Sequence, residues 1–270
     1  MTFVDIKVRA EPLEPAGSLP RAMVLIRAIA RAGRRGATVS RLVAATDLPR
    51  PTVHRVLDVL EQQDWVERDP KTKAYFLGRE LMCLGICASQ RHPIEAVAAP
   101  ILARLAEETR QTIYLSVRSG FDAVCVARHE GGAPVQTVAQ YVGARFPLGH
   151  GAGSLALLAA LPLHEAEEVI AHNLTRYRPV NPRFDEAAFR AALDDARALG
   201  FARHHGLHVR GLSGIGIAVG GGERPVAAIS SAFVTDWLSE EDQHGLATRM
   251  QSAALALARA LGLPDSTSKE

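Results

Sequence analysis

Arg50, Thr52, His54 and Arg55 crowd the start of a segment whose apolar residues Val53, Val56, Leu57 and Leu60 recur every three or four positions. That period predicts a helix with one buried face. With the apolar face turned inward, the four polar side chains stay exposed at the amino-terminal end, the part of a helix that reaches base edges in the major groove of DNA. Arginine can pair with guanine through two donors, while threonine and histidine can reach phosphates or bases. Taken alone, such a helix reads more often as a solvated surface. Lys71 and Lys73 shift the balance, because they lie on a turn between two short β-prone runs directly afterwards. A hairpin tip carrying cations is suited to backbone phosphates. Thr38, at the start of the preceding helix, completes the candidate nucleic-acid-contacting set.

A second constellation is Gly149-His150-Gly151-Ala152-Gly153, ahead of an apolar helical run. Its glycines resemble the oxyanion loop of esterases, and Gly211-Leu212-Ser213-Gly214 half-matches a nucleophile elbow. The Gly-x-Ser-x-Gly spacing fails, however, because position 215 is Ile. A hydrolase-type enzyme using Ser213 or Ser154 is therefore the rival reading, without a supporting motif. The glycines are also misplaced for a dinucleotide fingerprint. The segment fits better as a helix start whose bare N–H groups receive a carboxylate or similar acceptor. His204, His205 and His208 form a His-His-x-x-His cluster, but zinc needs three or four converging ligands. Pocket-lining or surface histidines are expected there, with no metal or cofactor assigned. Cys83 and Cys87, four apart on one helix, read as packed against a neighbour, with a redox pair as the alternative.

The elements that would position these groups follow from period and punctuation. Residues 1–17 hold three prolines or glycines and no apolar period, and read as a flexible leader. Ser18 is expected to cap a helix that Gly33 stops, and Thr38 to cap a second, short one. A turn over Asp47–Arg50 leads to the third helix, where Pro51 is tolerable only in the first turn. Strands at Trp65–Arg68 and Ala74–Leu77 make the hairpin, and three helices plus a hairpin predict a winged helix-turn-helix over 18–78. A linker helix follows over 79–91. The remainder, 92–264, mixes helices with strands near 112–117, 123–128, 135–139, 215–219 and 226–232. A last long helix starts at Ser239-Glu240, and 265–270 is a tail. This predicts an α+β chain of two domains.

Composition agrees. Residues 18–79 carry 12 Lys+Arg against 6 Asp+Glu, whereas 91–270 carry 17 against 19. A basic first quarter on a near-neutral remainder suits an appended nucleic-acid-binding module. No apolar run approaches the roughly 18 residues of a membrane span. With three cysteines and no signal peptide, a reducing cytoplasm is expected.

Two blocks carry a resemblance to a known family. SLPRAMVLIRAIA followed by LPRPTVHRVLDVLEQQDWVERDPKTKAYFLG, and later GARFPLGHGAGSLALLAALP with Leu199-Gly200-Phe201 and GLSGIGIAV, resemble the IclR family of regulators over about residues 18–262. Pro51 replaces the family's usual serine, Gly149 the histidine of its Pro-Leu-His, Ser154-Leu155 its Gly-Lys, and His204 an acidic residue. The resemblance implies a winged helix-turn-helix joined to a GAF-like effector domain, an antiparallel sheet flanked by helices. It also implies a dimer or a dimer of dimers, bound to a double-stranded DNA operator and to a small-molecule effector, without membrane attachment. Repression and activation are both open. Two-fold symmetry favours a palindromic operator, since one recognition helix alone gives little specificity. The expected pocket comprises Phe146, Leu148, Gly149, His150, Gly151, Ala152, His204, Gly214, Ile215 and Ser231. Loss of a carboxylate and gain of imidazoles there points to a small acid, of the aromatic kind, as effector.

Overall fold

The structure, a computed structural model, describes residues 17–132, 140–205, 211–220 and 225–263. The chain divides into two compact units at Pro93/Ile94.

In the first unit, α1 (Ser18–Ala32) ends at Gly33 with φ 55°, and α2 (Val39–Thr46) ends at Asp47, whose left-handed backbone turns the chain. Thr46 assists by donating its hydroxyl to the Leu42 carbonyl at 2.7 Å. In α3 (Arg50–Gln62), Pro51 occupies the first turn, and Val53, Val56, Leu57 and Leu60 are buried as their spacing predicts. The three helices close over Leu25, Ile29, Leu42 and Leu57. Antiparallel β1 (Val66–Arg68) and β2 (Tyr75–Leu77) form the wing. Ala37 adds a bridge by exchanging two 2.9 Å backbone hydrogen bonds with Tyr75, which no local pattern predicts.

Two expectations need correction. Ser18 is the first helical residue rather than the cap; Gly17 holds that position and makes no side-chain bond. The linker helix α4 (Arg79–Arg91) has no buried residue, and Cys83 and Cys87 are exposed rather than packed.

The second unit opens with α5 (Ile94–Thr109) and the hairpin β3 (Ile113–Ser119) and β4 (Asp122–His129). Then come β5 (Arg145–Pro147), α6 (Ala152–Ala159), α7 (Leu163–Val180) and α8 (Glu186–Leu199). It closes with β6 (Ala202–His205), β7 (Leu212–Val219), β8 (Ala227–Val234) and α9 (Glu240–Ala260). The six strands form one antiparallel sheet ordered β5-β4-β3-β8-β7-β6. The strand expected at 135–139 lies outside the described residues. Ser239 and Asp242 form a reciprocal cap at the start of α9, and Asp185 caps α8.

Alternation along the strands sorts the sheet's two faces. Ile113, Leu115, Ile217, Val219 and Ile229 meet Leu102 of α5 and Met250 and Leu257 of α9. On the other face Leu155, Leu158, Val169, Tyr177, Phe189 and Leu193 of α6, α7 and α8 pack together with Ala123, Ala202 and Ala228. Helix α6 sits directly on β7: a Cβ at Gly216 would lie 2.2 Å from the Ala152 carbonyl oxygen. Only glycine permits that approach, and it brings the start of α6 against the sheet.

Candidate functional site

Two sites emerge, one in each unit. In the first, the buried stripe of α3 fixes the roll of the helix. Arg50 and Arg55 project into solvent and Thr52 and His54 are half-buried beside them. Thr38 stands before α2, but its side chain makes no capping bond. Lys71 and Lys73 are exposed at the wing tip. There Asp69 accepts from the Lys71 and Thr72 amides at 2.9 and 2.6 Å and from the Thr72 hydroxyl, which shapes the turn. Those bonds, with Lys73 nearby, hold the Asp69 carboxyl below its usual range. Lys73 adopts φ 58°, a left-handed backbone for a non-glycine residue. Ser40 and Arg41 are exposed in the first turn of α2, two and three residues beyond Thr38.

In the second unit a cavity opens between the start of α6 and the sheet. Its volume is about 150 Å³, small beside the pockets that hold drug-sized ligands and open to solvent on one side. Phe146, His150, Gly151, Ala152, His204, Gly214 and Ser231 line it, as expected from the sequence. Tyr114, Ser116, Gln140, Ser154, Ser213, Ser230 and Ala232 line it as well, and were missed. Alternation was the available signal: where Ile113, Leu115, Ile229 and Phe233 enter the α5–α9 core, Tyr114, Ser116, Ser230 and Ala232 must face the other way.

Ile215, Leu148 and Gly149, expected in the pocket, are not part of its wall; Gly149 lies against Tyr177 and Phe189 instead. Ile215 belongs to the α5–α9 core, on the far side of the sheet from the cavity. Leu148 is buried among the helices of the other face, with Leu155 and Tyr177, and does not line the cavity. Ser231 contributes to the wall, but alternation puts its side chain on the Ile229 and Phe233 face, so Ser230 and Ala232 offer their side chains instead.

The loop before α6 is held by side chains from α7. Tyr177 donates to the Leu148 carbonyl at 2.6 Å, and burial pushes its phenol pKa up. Asn173 donates to the Phe121 carbonyl at 2.8 Å. Buried Asp122 accepts from Arg145 of β5 and Arg176 of α7, which locks the sheet edge to that helix. Gly149 has φ 102°, and a Cβ there would lie 2.9 Å from the Tyr177 hydroxyl and 3.0 Å from Phe189. With that backbone and those neighbours, a side chain at Gly149 would be strained.

The bare N–H groups expected across Gly149–Ala152 are only partly bare. The Gly149 amide donates to the Ser154 hydroxyl at 2.7 Å, and His150 to the Pro147 carbonyl at 3.0 Å. Ala152 and Gly153, within the first turn of α6, retain N–H groups that helical geometry leaves without an intrahelical acceptor. Ser154 also contacts the Pro147 carbonyl, so its hydroxyl serves the loop rather than a nucleophilic role. Ser213 shares a 2.9 Å hydrogen bond with Thr235.

His150 stacks on Phe146 with ring centroids 4.9 Å apart. Burial, reinforced by nearby His204, pulls its pKa down to about 4, so the imidazole is neutral at physiological pH. The expected electrostatic pull of a protonated histidine on an anion is therefore not available from His150. His204 is buried in β6 opposite Gly214. Among the described residues lining the cavity, none is Asp, Glu, Lys or Arg. His208 lies outside the described residues, and no group of three or more metal-ligating side chains occurs among those described. No described helix is long and apolar enough to cross a membrane.

Comparison with known proteins places both units. Residues 18–70 match the IclR helix-turn-helix domain, and residues 87–259 match the bacterial transcriptional regulator IclR C-terminal domain. The HTH-type transcriptional repressor AllR of Klebsiella pneumoniae is 30% identical over 225 residues, covering 81% of this chain and 82% of that protein. The HTH-type transcriptional regulator KipR of Bacillus subtilis is 29% identical, covering 83% of this chain and 90% of its own. Among solved structures, an IclR transcriptional regulator from Silicibacter sp. TM1040 superposes with a TM-score of 0.79 at 22% identity, over 94% of this chain and all of that one. An IclR homologue from Microbacterium hydrocarbonoxydans, solved with 4-hydroxybenzoate, superposes with a TM-score of 0.67 at 23% identity, over 91% of this chain and 99% of that one. The wing and exposed end of α3 in the first unit and the sheet-and-helix second unit belong to one lineage: this chain is a member of the IclR family of bacterial transcriptional regulators, with a helix-turn-helix domain and an effector-binding domain.

Proposed function

We propose that the chain binds an inverted-repeat operator as a dimer or dimer of dimers, and that a small acid with an aromatic body, seated in the α6 cavity, retunes that binding. The observation that carries the effector assignment is the composition of the wall. Phe146 and Tyr114 supply flat apolar surface, the start of α6 supplies backbone donors, and no described carboxylate repels an anion. The aromatic acid held by the Microbacterium relative is of the same chemical class. Recognition of the carboxylate then rests on the Ala152 and Gly153 amides and neutral hydroxyls, not on imidazolium charge. Arg50 and Arg55 read bases, and Lys71 and Lys73 hold phosphates.

Calorimetry with 4-hydroxybenzoate and related acids, each beside its neutral amide, tests the effector class. The acid is expected to bind more tightly than its amide, with little change between pH 6 and 8, because His150 stays neutral throughout. Equal affinity for acid and amide would overturn the assignment. A reading as a hydrolase finds no support: Ser154 and Ser213 are both engaged in structural hydrogen bonds.

A further inference from the structure

Helix α4 places Arg79, Cys83, Cys87 and Arg91 at successive steps of four residues. Each step advances about 6 Å along a helix and only about 40° around it. The four side chains therefore form one shallowly winding row, with two thiols at its centre and a guanidinium beyond each. Both cysteines are free and exposed, and no residue of α4 is buried. Arg79 also approaches Asp64 at 3.7 Å, an exposed contact that holds it only weakly. Glu80 lies to one side of the row and leaves both ends cationic.

Spacing decides what the two thiols can do. Cβ atoms four residues apart on a helix are about 5–6 Å from each other, beyond the roughly 3.5–4.5 Å of a disulfide. An ion seated between two sulfurs needs a wider pair. With metal–sulfur bonds of about 2.3 Å, sulfurs on opposite sides of an ion stand about 4.6 Å apart. Rotation about χ1 swings each sulfur toward or away from the other, so this separation is reached without moving the backbone. Ligand number then selects the ion. Zinc takes three or four protein ligands, and no group of three or more metal-ligating side chains occurs among the described residues. Thiolates favour soft ions, cuprous copper among them, and such an ion is satisfied by two sulfurs.

We propose that Cys83 and Cys87 of a single chain form a two-coordinate site for a monovalent soft cation, the cuprous ion. Binding makes two S–Cu bonds, breaks two S–H bonds and releases two protons to solvent, with no change of oxidation state. Two thiolates and one monovalent cation leave a single negative charge, which Arg79 and Arg91 face from the two ends of the row. Bridging side chains one turn apart also restrains α4 from unwinding, in the stretch of chain that leads from the first unit to the second.

The test uses the full, reduced chain without operator or effector, titrated under nitrogen with cuprous ion against the chelator bicinchoninate. One ion per chain is expected, with sulfur-to-copper charge-transfer absorption in the ultraviolet and two sulfur neighbours by X-ray absorption. Cys83→Ser and Cys87→Ser should each weaken binding by at least about a hundredfold, the gain a second tethered ligand ordinarily provides. Buried Cys125, its thiol pushed up to about 11, remains in both variants as an internal control. Arg79→Gln with Arg91→Gln should weaken binding several-fold at low salt and less at high salt. Full-strength binding by either cysteine variant would overturn the proposal. So would its recovery when the two variants are mixed, because the two sulfurs would then belong to different chains. Zinc binding as tight as cuprous would reveal more ligands than these two and overturn it as well, as would thiols that the native reduced protein withholds from a maleimide.

Discussion

Gly216→Ala offers the sharpest test of how the cavity is built. The added Cβ would stand 2.2 Å from the Ala152 carbonyl oxygen, 2.4 Å from its carbon and 2.7 Å from the Gly153 nitrogen. All three are backbone atoms of the first turn of α6, so no side-chain rotation relieves the clash, and the helix start must lift from β7. Overpacking of this kind costs about 1–3 kcal/mol, and in a unit of this size each kcal/mol moves Tm by about 2–4 °C. The melting temperature of the second unit should fall by about 2–12 °C, and ligand affinity should drop with it, because the displaced turn is one wall of the site. Gly245→Ala in α9 is the control, since a Cβ there meets nothing within 4 Å. A helical glycine in open space gains about 0.5–1 kcal/mol on becoming alanine. Differential scanning fluorimetry of both variants decides the matter. If Gly216→Ala melts at or above the Gly245→Ala temperature, the close approach of α6 to the sheet is wrong.

His150 has its pKa lowered by burial from 6.5 to about 4, so the unfolded chain binds more protons in that window and stability falls as pH drops from 6.5 toward 4. The loss should approach about 3 kcal/mol at the acid end, and urea melts of His150→Gln should show a flatter profile there. Arg55→Ala should cost roughly 1–3 kcal/mol of specific binding and relax base preference at one position per half-site. Lys71→Ala should weaken binding to all sequences and flatten its salt dependence, both measured by anisotropy titrations. Asp122→Ala leaves Arg145 and Arg176 facing one another without their shared carboxylate. It should destabilise the second unit by about 3–5 kcal/mol in chemical denaturation.

Local signals were legible in the sequence, and long-range ones were not. The buried stripe of α3, the wing turn at Asp69 and the Ser239 start of α9 each depend on residues within one or two turns of chain, and each forms as its pattern predicts. Strand β5 was missed because three residues, Arg145–Pro147, carry no period, and distant β4 defines them. Assigning Leu148 and Ile215 to the cavity failed for a related reason. An apolar residue beside a pocket motif faces the pocket or the core according to strand parity and loop geometry, not according to hydrophobicity. The amide of Gly149, expected to be bare, is engaged because the Ser154 hydroxyl five residues on folds back onto the loop as its acceptor, a contact that no local pattern signals.

In the proposed function, one chain couples a base-reading α3 to an acid-binding cavity. The most direct test of that coupling is a footprinting titration of operator DNA at fixed salt, with and without an aromatic acid, on the parent protein and on Gly216→Ala. Both proteins are expected to protect an inverted repeat, and the acid is expected to change the concentration needed for protection by the parent alone. Sequence-independent protection, or an identical response of both proteins to the acid, would contradict it.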